Sequence, residues 1–478
     1  MESLLNSGHA IVVDIGKTLS KVTLWSRDGQ LLDRQVRPNT VVEVDGLRRL
    51  DADGIGTWLV EALARHAAHP IEAIIPVGHG AGVVAITGRG DDATPAFPPL
   101  DYEQPIDEAV MAAYRAERDA FAVTGSPALP AGLNIGSQLY WLDRLYPDAM
   151  AEATLVPWAQ YWGWFLSGQA ASEVTSLGCH SDLWAPDTAT FSPLAKRMGW
   201  ADRFAPIVPA GATMGTLRPD IARATGLRDT VKILAGLHDS NAALMAARGF
   251  DALAGQDATI LSTGTWFIAM RLPQEPVATA TLSDARDCLV NVDAFGVPVP
   301  SARFMGGREI ETLIELDTRM VDIAPDQPAL LAAVPGLLAK GTLLLPTLAP
   351  GCGPFPDGQS RWIGPSVDGP DDWYARRAAA CLYAALVADA ALDLIGAKGH
   401  LLVEGRFAEA QVFVRALAAL RPDMAIYTGS AHNDVSLGAL RLLDPTLKPQ
   451  GDLLRVTPLD GDMAACRDRW VAAMKVPA

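Results

Sequence analysis

Residues 11–25 read IVVDIGKTLSKVTLW and residues 258–270 read ATILSTGTWFIAM. Each is a β-rich run, a tight turn holding Gly with Lys or Thr, and a second β-rich run, which is the pattern of a hairpin. One hairpin heads each half of the chain, so the sequence predicts a duplicated architecture. The boundary falls near residue 247, just before FDALAGQDA. Outward from the hairpins, strand-like runs (AIVVDIG, KVTLWSR, IEAIIPVG, VKILAG, ATILSTG, WFIAMRL, GTLLLP, HLLVEG) alternate with alanine-rich stretches of helical period. That alternation defines an α/β protein. The helical stretches are DGIGTWLVEALARHAAH, IDEAVMAAYRAERDAF, SNAALMAAR, RRAAACLYAALVADAALDLIG and AQVFVRALAALR. In the fourth, small and apolar residues sit all round, which predicts a helix buried on most sides.

A chain of 478 residues is too long for one core and fits two domains with a cleft between them. Hydrophobic residues make up 49% and charged residues 20%, a balance that excludes extensive disorder. The net charge of −16 excludes binding driven by attraction to nucleic-acid phosphates or anionic membranes. It does not exclude ATP, which backbone N–H groups, a metal ion and a few local cations can hold. The five cysteines are scattered and form no CxxC pair, so neither a disulfide framework nor a zinc site is expected and a reducing, cytoplasmic setting fits. No signal peptide or membrane span is apparent.

Three segments could carry chemistry. In DIGKTLSK, Asp14 ends an apolar strand and Gly16 allows a turn whose N–H groups converge on an anion. Lys17, Thr18 and Lys21 could reach phosphate oxygens, and Asp14 could hold a metal through water; a plain polar hairpin turn is the simpler account of this segment alone. It is not a Walker A loop, which needs a longer glycine-spaced turn. In STGTW, Thr263, Gly264 and Thr265 again place small donors at a turn. Two such turns, one per half, could clamp a triphosphate from opposite sides. In LAGLHDSNAALMA a strand ends at Gly236, and Asp239 stands at or just before a helix start. Asp there is a good N-cap; beside a cleft it could also accept a hydroxyl proton during phosphoryl transfer. His238 could orient a sugar hydroxyl or satisfy a loop carbonyl.

These segments, in this order, resemble the FGGY family of carbohydrate kinases, with the rhamnulokinase and fuculokinase branch nearest. HDSNAA resembles that branch's HDTASA, LSTGTWFI its SSGTWSL, and TGSPALPAGLNIGSQLYWL its TG…NTxYQL segment. YWGWFLSGQAASEVTS resembles DYLxYxLTGxxxxDxSN, and LVEGRFAEAQVFVRALAAL with NDVSLGALRLL resembles the adenosine segments. Two departures stand out. Gln160–Tyr161 replaces the usual Asp–Tyr, and Glu404–Gly405–Arg406 replaces a glycine run.

The resemblance implies two actin-like (ribonuclease H-like) lobes with a ligand cleft between them, 1–246 binding sugar and carrying the base, 247–478 binding nucleotide. It implies ATP and Mg2+ as cofactors and phosphorylation of a sugar, commonly a ketose at its terminal hydroxyl. By position Asp239 matches the base, and Asp14 (for magnesium, through water), Gly16, Lys17, Thr18 and Lys21 the first phosphate segment. Thr263, Gly264 and Thr265 match the second, and Gly405 the adenosine motif. Gly78, His79, Asp101, Gln138 and His238 fall in sugar-side segments. Partners are then a small sugar and ATP, with no nucleic acid and no membrane; oligomeric state is left open, a homodimer included. A regulator that binds both ligands without turnover would lack the base, and an actin-like ATPase would turn over ATP without sugar. A dinucleotide oxidoreductase is disfavoured, because GRG at 88–90 does not join a strand to a helix.

Overall fold

The computed structural model describes residues 8–429 and 435–475. Two large mixed sheets dominate it, one drawn from residues 9–238 and one from residues 258–455. In the first, the strand order is Thr213–Thr216, Lys232–Leu234, Ile71–Gly78, His9–Ile15, Leu19–Trp25, Leu31–Pro38. The hairpin 9–25 and its neighbour are antiparallel, whereas 9–15 pairs in parallel with 71–78, and 71–78 in parallel with 232–234. The second sheet repeats this pattern. Pro298–Phe304, Phe267–Leu272 and Ala258–Thr263 run antiparallel, then Ala258–Thr263, His400–Gly405 and Ala425–Gly429 run parallel, and Leu453–Arg455 closes the edge antiparallel. An extra strand, Cys288–Val292, extends it. The duplication expected from two short hairpins therefore extends to whole sheets, and the fold is the two-lobed actin-like α/β class.

The apolar strand runs are buried on both faces, as parallel strands under helices must be: Ile11, Val13 and Ile15 on one side of the first sheet, Ala10 and Val12 on the other. The alanine-rich stretch forms the helix Trp373–Leu394, in which every residue from Arg377 to Asp389 is buried. The helix Val435–Leu440 comes from the C-terminal half but packs against Ala10, Val12 and the helix Asp239–Ala247. A Cβ on Gly438 would lie 1.7 Å from the Ala242 carbonyl oxygen, so only glycine permits this helix crossing. Asn433 and Asp434, which open the NDVSLGALRLL segment, lie outside the described residues. The halves also touch through Val290 N–H donating to the Gly125 carbonyl at 2.9 Å and Thr279 Oγ1 donating to Asp187 at 2.7 Å.

Among the described residues no helix is long and apolar enough to cross a membrane. All five cysteines are unpaired.

Candidate functional site

Asp14, Gly78 and His238 end or follow the central strands of the first sheet, and Thr263 and Gly405 end those of the second. The carboxyl ends of parallel strands are where α/β folds place ligands, because the chain leaves the sheet there in loops with free backbone groups. The strand Leu237–His238 pairs with Val77 and Gly78, so His238 lies beside the loop that carries His79.

Asp239 is the first residue of the helix Asp239–Ala247, and His238 occupies the cap position. The N-cap role is thus displaced by one residue, although Asp239 Oδ1 still accepts a hydrogen bond from the Ser240 N–H at 2.6 Å. His238 Nε2 lies 3.1 Å from the same oxygen, and Asn241 approaches His238 Nδ1 at 3.3 Å. Burial pushes the Asp239 carboxyl up, but His238, His79 and the Ser240 N–H outweigh it and hold its pKa below the ordinary value. Asp239 is therefore ionised at neutral pH and free to accept a proton.

His79 is 9% exposed, and neither ring nitrogen has a hydrogen-bond partner among the described residues. Its ring stacks on Trp158 at 5.7 Å and meets Tyr102 edge-on at 5.3 Å. Burial lowers its pKa to about 4 against the pull of the nearby Asp239 charge, so the imidazole is neutral. A buried polar ring without a partner costs free energy unless something arrives to satisfy it. Gln138 binds the loop from behind: its amide nitrogen donates to Ala81 and Gly132 carbonyls at 3.0 and 2.6 Å, while its Oε1 is buried without a partner.

At the phosphate turns, two of the expected donors have partners within the fold. The Lys17 ammonium, expected on phosphate, sits on the fully buried Asp101 carboxylate, and Arg48 Nη2 reaches the other carboxylate oxygen at 3.1 Å. Lys17 also lies over the Tyr102 ring at 4.6 Å, so it braces the loop that carries Asp101 and Tyr102. Thr263, also expected on phosphate, spends its hydroxyl within the fold: it donates to the Glu404 carbonyl at 2.5 Å and accepts from the Phe407 N–H at 3.0 Å. Thr265 fares differently, its hydroxyl having no partner among the described residues. Thr18 is exposed at its turn, and Lys21 pairs with Asp14 at 3.0 Å.

Does the second turn fit a polyphosphate? A Cβ on Gly307 would lie 2.0 Å from the Gly264 carbonyl oxygen, which brings the first turn of the helix Gly306–Ile314 against the turn 264–266. Helix-start N–H groups beside small turn residues make an anion cradle. Gly405, at φ +83°, passes so close to Thr263 that a Cβ would lie 2.4 Å from its carbonyl oxygen. These features fit ATP. For the metal, the described residues contain no cluster of three His, Cys, Asp or Glu side chains suited to bind one, and Asp14 is the carboxylate at the first turn.

Sequence reasoning missed Arg48, Tyr102 and Trp158, and noted Gln160 only as a departure from the family motif. Gln160 replaces the family's aspartate, and its amide nitrogen donates to the Ala235 and Gly236 carbonyls, both at 3.2 Å, bracing the loop before Asp239. Its position in the motif was the available signal.

Two duplicated lobes with candidate ligand residues at their strand ends define an actin-like phosphotransferase architecture. The family model for the C-terminal domain of FGGY carbohydrate kinases matches residues 255–450. The crystal structure of a carbohydrate kinase from Novosphingobium aromaticivorans superposes with a TM-score of 0.94 at 68% identity, covering 97% of this chain and 100% of that one. An L-fuculokinase of Salmonella typhi is 31% identical over 36% of either chain, and a rhamnulokinase of Bacteroides thetaiotaomicron 26% identical over 56% of either. These two alignments span less than two thirds of the relatives' lengths. The chain belongs to the FGGY family of carbohydrate kinases.

Proposed function

We propose that this protein transfers the γ-phosphoryl group of Mg·ATP to the terminal hydroxyl of a ketose, with Asp239 as the general base. The observation that carries this reading is Asp239 itself: an ionised carboxylate at a helix start, sharing its surroundings with His79, whose two ring nitrogens await partners. A sugar hydroxyl between them would donate to one and accept from the other. Bound Mg·ATP would supply the phosphoryl group, with Gly264, Thr265 and Gly405 holding the phosphates and Asp14 holding magnesium through water. Asp239 receives the hydroxyl proton late, as a loose transition state requires, so a low pKa is no obstacle. The lobes 1–246 and 247–478 would close on both ligands and exclude water.

For the sugar, a 6-deoxy-L-ketohexose such as L-rhamnulose or L-fuculose comes ahead of xylulose, ribulose or glycerol. The L-fuculokinase and rhamnulokinase relatives support that class, and the His79 and Tyr102 rings offer an apolar edge suited to a methyl group. An ADP-release assay across these five sugars and polyols tests both levels. Turnover with L-rhamnulose or L-fuculose supports the whole reading, turnover with glycerol alone removes the ketose, and ADP release without any sugar removes the kinase in favour of an ATPase.

A further inference from the structure

Glu173 is fully buried, and nothing in the phosphoryl transfer described above uses it. It caps the single helical turn Val174–Leu177, its Oε2 accepting from the Thr175 N–H at 2.9 Å. A one-turn helix is adequately capped by the shorter Ser, Thr, Asp or Asn, and burying a carboxylate is costly. Capping alone therefore does not account for Glu here. The same Oε2 also accepts from the Thr175 hydroxyl at 2.5 Å. With its proton so engaged, Thr175 Oγ1 presents its lone pairs elsewhere, and one accepts the His238 N–H at 2.9 Å.

That last bond falls where the sheet gives out. Leu237–His238 is a strand of two residues, paired with only Val77 and Gly78, and the helix carrying Asp239 begins at once. His238 is thus held by Gly78 on one side and by Thr175 on the other. Its ring is confined as well, since a Cβ on Gly80 would lie 2.8 Å from His238 Nε2 and 2.3 Å from Cys179 Sγ. The ring in turn contacts Asp239 Oδ1.

We infer that Glu173 and Thr175 are positioning residues for Asp239: Glu173 fixes the Thr175 hydroxyl, and that hydroxyl fixes the backbone from which the carboxylate projects. The inference rests on Asp239 acting as base. A displacement near 1 Å at a reacting group can cost on the order of a hundredfold in rate, so the relay acts on turnover while leaving the nucleotide turn in the other lobe alone.

The test uses the full chain with L-rhamnulose and L-fuculose as probes and two readouts, steady-state kinetics and hydrogen exchange at the His238 amide by mass spectrometry of fragments. Thr175→Val is expected to lower kcat by roughly ten- to a hundredfold with the KM for ATP unchanged, and to speed His238 exchange. Thr175→Ser keeps the hydroxyl and should restore both. Glu173→Leu should act in the same direction as Thr175→Val, and the double variant should fall no further than the worse single one, since the two residues work as one unit. Unchanged His238 exchange in Thr175→Val, failure of Thr175→Ser to restore it, or additive losses in the double variant would overturn the relay. Asp239→Asn measured alongside separates the two ideas. If it keeps its turnover, the base assignment falls; if it loses turnover while Thr175→Val keeps it, the relay alone falls. Should neither sugar be turned over, the exchange readout still decides whether Thr175 holds His238.

Discussion

Gly307 backs onto Gly264 so closely that a Cβ on Gly307 would lie 2.0 Å from the Gly264 carbonyl oxygen. The obstruction is backbone rather than a flexible side-chain tip, so no rotamer change relieves it. Gly307→Ala must push the helix Gly306–Ile314 away from the turn 264–266, a kind of overpacking that costs about 1–3 kcal/mol. For a lobe of this size that is a drop of roughly 2–10 °C in melting temperature. The turn is the proposed phosphate cradle, so the KM for ATP should rise while sugar affinity stays as it was. Thermal melts and calorimetry with sugar alone check this; an unaltered KM for ATP would remove the cradle from this turn.

Thr265 and Lys17 were alike in sequence and differ in structure, and the two substitutions should separate accordingly. Thr265→Val deletes a hydroxyl that has no partner among the described residues. Loss of a hydrogen bond to a charged phosphate is worth about 1.5–3 kcal/mol, or roughly 10- to 150-fold in the KM for ATP. Lys17→Ala instead strips one of two cations from the buried Asp101. It should lower the melting temperature and weaken sugar binding, leaving ATP use intact. Lys17→Ala that impaired only ATP would return Lys17 to the phosphates.

Glu173 makes stability depend on pH in a definite direction. Burial raises its pKa to about 7, well above the 4.5 of a free glutamate. Between those values the native state holds a proton that the unfolded state has lost, so this group's contribution to stability falls as pH rises from about 4.5 to about 7 and stays low above that. His79 runs the other way: its pKa near 4 lies below that of free histidine, so the unfolded state takes up the proton first and stability falls as pH drops from about 6.5 towards 4. Wild type alone mixes these slopes. The difference between wild type and Glu173→Gln isolates the first, because Gln carries no charge to bury. Its melting temperature should exceed that of wild type at pH 8, with the advantage shrinking as pH falls towards 4.5. Parallel melting curves across that range would show that Glu173 does not titrate there.

Sequence pattern made the sheets legible because buried parallel strands are short apolar runs with Gly at their ends, and both hairpins announce themselves that way. It pointed to Asp239 because a polar residue follows such a run, whereas His79 came from the family resemblance. It could not reveal where long side chains go. Lys17 lies 84 residues from Asp101, and Thr263 lies 141 residues from the Glu404 carbonyl it binds. Such pairings depend on loop geometry that local composition does not encode. The Glu173–Thr175–His238 chain was hidden for the same reason: only the fold brings SEVTS under the strand end.

Asp239→Asn addresses the central assignment. Asn keeps the side chain's size, and its carbonyl oxygen can still accept the Ser240 N–H that Asp239 Oδ1 accepts at 2.6 Å. The helix start, with His238 at the cap position, survives the change. What Asn cannot do is take the hydroxyl proton. A purely structural Asp239 therefore gives near-normal turnover, whereas a base gives a loss of roughly two to four orders of magnitude with normal folding and normal ligand affinities. Loss of the negative charge also removes one of the anions near His79, Asp101 being another, so a small change in sugar affinity is compatible with the base and a large one is not. Melting temperature, sugar affinity by calorimetry and turnover on one preparation decide it. Turnover above about a tenth of wild type would sink the assignment, because even the low end of general-base catalysis exceeds tenfold.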